Sequence, residues 1–89
     1  MTADQRATAL ARLRELGECL HAAGSAQGAA EDCEQLIRAV EAFHPEGVRF
    51  RVYGLRRRLA ADGEEIPPAA MRLLEAARDA LQAAGFRTR

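Results

Sequence analysis

Eighty-nine residues with a formal net charge of zero leave room for one domain and one hydrophobic core. All 13 basic residues are arginine, and lysine, asparagine and tryptophan are absent, the bias a GC-rich bacterial genome produces. No apolar run approaches the roughly 18 residues of a membrane span, and the Thr-Ala-Asp-Gln start lacks a secretory signal, so a cytoplasmic location is expected.

The first helix is expected over residues 3–23. Thr2 and Gln5 have capping-box spacing, and Asp4 suits the positive end of the helix dipole. Ala9, Leu13, Leu16 and Leu20 recur at helical spacing and make one apolar stripe. Gly24 stands where a left-handed C-cap belongs.

A second helix is expected over 29–43, with Cys33, Leu36, Ile37, Val40 and Phe43 as its stripe and Glu31, Asp32, Glu34 and Glu41 on its other faces. His44-Pro45 stops it, because proline disfavours a helical residue before it. The short link between the first two helices implies an antiparallel hairpin.

Residues 46–62 admit two readings. Val48-Arg49-Phe50-Arg51-Val52 alternates like a strand, whereas Val48, Val52, Leu55 and Leu59 are spaced as one face of a helix. The helical pattern covers twelve residues against five, and no second strand candidate exists to pair with an isolated strand. A helix is therefore expected. Gly63 then serves as its C-cap within a polar turn of Asp62, Glu64 and Glu65.

Pro67-Pro68 opens a fourth helix over 68–84, whose buried face is Ala70, Leu73, Leu74, Ala77, Leu81 and Ala84. Gly85 ends it, and Phe86 can fold back on Leu81. With 20 alanines and, beyond Met1, only 22 larger apolar residues, the core is thin. The fold class that follows is all-α: a small antiparallel four-helix bundle forming a single domain over 1–89, with a homodimer as one way to cover its surface. Leu13, Leu20, Leu36, Val40, Val52, Leu55, Leu59, Leu74 and Leu81 are the expected core.

Chemistry is sparse. Cys19 and His21 lie two apart on a helix and so point about 200° apart, and Cys33 and His44 are about 16 Å apart along theirs. Neither pair has zinc-ligand spacing, so no metal is expected, and both cysteines read as reduced thiols. Ser25 is the only serine, there is no glycine-rich phosphate loop, and no cofactor motif is present. No catalytic residues are assigned, and the chain is not expected to be an enzyme. A small enzyme, the third possibility, would require a concave pocket lined by several arginines and a carboxylate.

One stretch departs from the helical background. Residues 47–60 carry five arginines, no acid, and two of the chain's four aromatics. On a helix whose aliphatic stripe faces inward, Phe50, Tyr53 and Arg57 fall together on the outer face, flanked by Arg49 and Arg56 on one side and Arg51 and Arg58 on the other. Tyr, Phe and Arg are the residue types enriched in protein interfaces, so Phe50, Tyr53, Arg57, Arg49, Arg56 and Arg58 are the candidate partner-binding residues. The competing reading covers Phe50 and Tyr53 with another helix.

The same arginines could hold phosphates while the aromatics stack on bases, which makes nucleic acid the alternative partner. Charge distribution weighs against it. Residues 1–46 carry four arginines and eight acids, and residues 47–89 carry nine and five, a dipolar layout suited to a protein partner or a second copy.

Overall fold

The structure, a computed structural model, describes residues 3–24, 26–61 and 66–88. Within them lie four helices and no strand: α1 (Ala3–Ala23), α2 (Gln27–Glu41), α3 (Pro45–Ala60) and α4 (Pro68–Ala83). The capping box at Thr2 and the C-cap at Gly63, with its acidic turn, fall outside the described residues.

At 1.5 Å per residue, the 21 residues of α1 run about 31 Å, most of the molecule's 35 Å long axis. Its stripe does what the spacing requires, with Ala9, Leu13, Leu16 and Leu20 fully buried. Gly24 ends the helix in the left-handed region, with φ of 71°. On the surface between α1 and α2, His21 Nε2 lies 3.3 Å from Glu34 and Arg14 lies 3.5 Å from Glu41.

The second helix begins at Gln27 and ends at Glu41, and its early end removes Phe43 from the stripe. Instead of packing in the core, Phe43 is 51% exposed. The helix closes in a Schellman motif: the Phe43 N–H donates to the Val40 carbonyl and the His44 N–H to the Ala39 carbonyl, each at 3.1 Å. That motif puts Phe43 in the left-handed conformation, φ 54°, a position usually given to glycine. One face of the ring is met by Arg6, whose guanidinium carbon lies 3.9 Å from its centroid.

His44 then caps α3. Its Nδ1 accepts a hydrogen bond from the Gly47 N–H at 3.0 Å, filling one of the donors a helix start leaves open, and Pro45 takes the first turn, where no N–H is required. A Cβ on residue 47 would stand 2.6 Å from that Nδ1, so glycine is what lets the imidazole sit over the helix end.

Residues 48–53 are helical, and Val48, Val52, Leu55 and Leu59 are all buried. The five-residue alternation gives way because a strand here would have no partner for its backbone groups. α4 starts at Pro68, with Pro67 as its N-cap, and ends in a second Schellman motif: Gly85, φ 98°, donates to the Gln82 carbonyl at 3.0 Å and Phe86 to the Leu81 carbonyl at 2.9 Å. Phe86 is buried as that motif requires.

The nine expected core residues are buried, joined by Leu10, Leu16, Val48 and several alanines. α1 packs most extensively on α4, then α2 on α3 and α1 on α2, and of the four pairs in contact α3 and α4 share the smallest interface. This unequal packing leaves an opening between α3 and α4. No helix among the described residues is long and apolar enough to cross a membrane.

Candidate functional site

The inward pull of Val48, Val52, Leu55 and Leu59 turns the opposite face of α3 to solvent. Phe50 is 68% exposed and Tyr53 is 62% exposed, so neither is covered by a neighbouring helix. Each has an arginine from the same helix near its ring: Arg51 at 5.6 Å from the Phe50 centroid and Arg57 at 5.8 Å from that of Tyr53.

The flanking arginines divide by neighbour. Arg58 reaches α2, where its Nε bonds Asp32 at 2.6 Å. Arg56 reaches toward α4, its Nε 3.6 Å from Glu75. Arg49, Arg51 and Arg57 have no carboxylate partner among the described residues. Acidic α2 thus neutralises one edge of the basic stretch within the chain itself.

Between α3 and α4 the surface is concave. A groove of about 840 Å³ is lined by Glu46, Arg49, Phe50, Val52, Tyr53 and Arg56 from α3, by Glu75 and Arg78 from α4, and by Thr88. The structure therefore has the concavity, arginines and carboxylates named above as the requirement for a small enzyme. A shallower depression on the other side of the aromatics is lined by Phe50, Tyr53, Gly54, Arg57, Arg58 and Ala61. Phe50 and Tyr53 form the ridge between the two.

Arg78 and Thr88 were not singled out from the sequence, and both are buried. A signal for Arg78 did exist. Ala70, Leu74, Ala77, Arg78 and Leu81 share one helical stripe, so Arg78 occupies a position that spacing assigns to the core. It is only 3% exposed, and its Nη1 donates to both oxygens of Glu75 at 3.0 and 3.1 Å. For Thr88 no such signal is present. Its Oγ1 bonds Gln82 Oε1 at 3.1 Å beyond the end of α4.

The cysteines are both free thiols. Cys33 is fully buried, its Sγ donating to the Leu13 carbonyl at 3.2 Å, and burial, aided by the charge of Glu34, pushes its pKa from 9.0 up to about 12. Such a thiol is unreactive at neutral pH. Among the described residues, no group of three or more His, Cys, Asp and Glu is placed to hold a metal ion. Compared with protein-family models, curated proteins and solved structures, the chain matches none.

Proposed function

We propose that this chain is a small protein–protein interaction module, an adaptor, regulator, chaperone or inhibitor working in the bacterial cytoplasm. Its contact face is the outer side of α3, with Phe50, Tyr53 and Arg57 at the centre and Arg49, Arg56 and Arg58 around them. We read it as a binding module rather than an enzyme, with another protein or a second copy of the chain as partner. The four helices then serve as an antiparallel bundle. That arrangement is supported by the α1–α2 pairs, in which partners rise along α2 (Glu34, then Glu41) as they fall along α1 (His21, then Arg14).

The observation that carries this reading is the pairing of two largely exposed aromatics with arginines that no carboxylate of the described residues neutralises. Exposed aromatics leave apolar area in water that a partner would cover, and the arginines steer and orient an acidic one. Protein is favoured over nucleic acid because Arg56 and Arg58 are already engaged by Glu75 and Asp32, and Glu46 lines the same face. Phosphate binding wants free cations without nearby acids.

Sedimentation velocity of the pure protein, with and without Phe50→Ala plus Tyr53→Ala, tests the self-associating form. Wild type should associate reversibly and the double variant should not. Salt-titrated binding to generic DNA and RNA tests the alternative. Tight binding with a steep salt slope would replace the protein-partner reading.

A further inference from the structure

Among the described residues, the groove between α3 and α4 is lined by three arginines and two glutamates, an excess of one positive charge. Arg78 lies at its α4 side and is almost wholly enclosed, yet its Nε has no hydrogen-bond partner among the described residues. Burying a guanidinium is costly unless its donors are met, and because this Nε is closed to solvent, Arg78 acts on the groove through its charge rather than through that donor. Arg56 compounds the deficit, because it approaches the same Glu75 that already takes two bonds from Arg78. Two guanidiniums share one carboxylate. Arg49 lines the groove with no carboxylate of its own among the described residues.

The rest of the lining is apolar on one side. Phe50, Val52 and Tyr53 supply a wall of two rings and a branched aliphatic chain. A volume of about 840 Å³ lies within the range of small-molecule pockets, roughly 300–1,000 Å³. An apolar wall facing convergent cationic donors is the chemistry that recognises an anion carried on a ring.

We propose that this groove binds a small organic monoanion, an aromatic carboxylate. Its carboxylate completes the charge of Arg56 and Arg78 opposite Glu75, and its ring lies against Phe50, Val52 and Tyr53. A guanidinium fork matches a planar carboxylate by paired hydrogen bonds. A dianion such as phosphate fits less well, since Glu46 and Glu75 both line the groove and repel a second negative charge. The proposal does not depend on a protein partner, although the ligand would occupy one side of the aromatic ridge that such a partner uses.

Naphthoate is the probe, titrated into the full-length chain while amide and arginine side-chain NMR signals are followed. Naphthylmethanol, acetate and inorganic phosphate serve as controls for ring without charge, charge without ring, and dianion. Naphthoate should saturate with a dissociation constant of about 1 mM or tighter, shifting the Arg78 Nε–H and the amides of Phe50 and Tyr53. The three controls should bind at least about tenfold more weakly, and Arg78→Met or Arg56→Met should each cost about tenfold, while Arg38→Met on α2 changes nothing. Circular dichroism checks that Arg78→Met folds, and if it does not, Arg56→Met decides. Equal binding of naphthoate and naphthylmethanol would overturn the anion site, as would full affinity in the folded arginine variants. Absence of a saturable shift up to the solubility limit of naphthoate would overturn the pocket altogether.

Discussion

Replacing Phe50 and Tyr53 together by alanine separates a contact surface from a core, because the two assign very different stabilities to the same side chains. Phe50 and Tyr53 are 68% and 62% exposed, so each has only about a third of full burial to lose. Full burial of a large apolar side chain is worth about 1.5–3 kcal/mol, and a third of that is about 0.5–1 kcal/mol per residue. Alanine is the better helix former and returns up to about 0.5 kcal/mol at each position. The double variant should therefore sit within about 2 kcal/mol of wild type, against about 3–5 kcal/mol for each ring if it were core. Urea unfolding followed by far-ultraviolet circular dichroism reads the difference, and sedimentation velocity on the same samples reads association. A loss above about 3 kcal/mol would refute the placement of these rings on the surface, and with it the contact face.

Leu74→Ala, at a fully buried position, should cost about 2–5 kcal/mol in the same urea experiment. An aromatic disulfide reagent at neutral pH should titrate the half-buried Cys19 in the native protein and Cys33 only after unfolding. Because folding raises the Cys33 pKa from 9.0 to about 12, its contribution is fully present below pH 9 and is lost above it. The loss should run at about 1.4 kcal/mol per pH unit, a slope that Cys33→Ala should remove. His44→Ala should cost about 1 kcal/mol through the lost cap, and His44→Asn should recover most of it. Gly47→Ala should stabilise more in the His44→Ala background than in wild type, where the new Cβ displaces the imidazole, a coupling read by a double-mutant cycle. Gly54→Ala, with open space around the added methyl, should stabilise the exposed middle of α3 by about 0.5–1 kcal/mol.

The helices are legible in the sequence because what makes them is local. Leu13, Leu16 and Leu20, or Val48, Val52, Leu55 and Leu59, need only the 3.6-residue turn to come together, and the Gly85-Phe86 cap needs only the residues beside it. The same arithmetic separates the aliphatic face of residues 47–60 from its aromatic and arginine face. Where a local rule has an exception, the reading slips. Phe43 belongs to the stripe of α2 by spacing, but a helix that ends two residues sooner sends it to the surface. His44 is not a usual N-cap residue, and only the close approach that Gly47 permits makes it one.

The groove belongs to the tertiary structure alone. Nothing in the spacing of any one helix says that α1 packs closely on α4 and α2 on α3 while the neighbours α3 and α4 share only a small interface. That choice rests on how thin, alanine-rich faces fit one another across the whole core, a sum over many long-range contacts. It decides that Arg56 of α3 comes up to the Glu75–Arg78 pair of α4, and that Phe50 and Tyr53 border a concave surface. Residue order along the chain determined which side chains share a helix face. Packing between helices determined which faces meet, and so where the charge is left unbalanced.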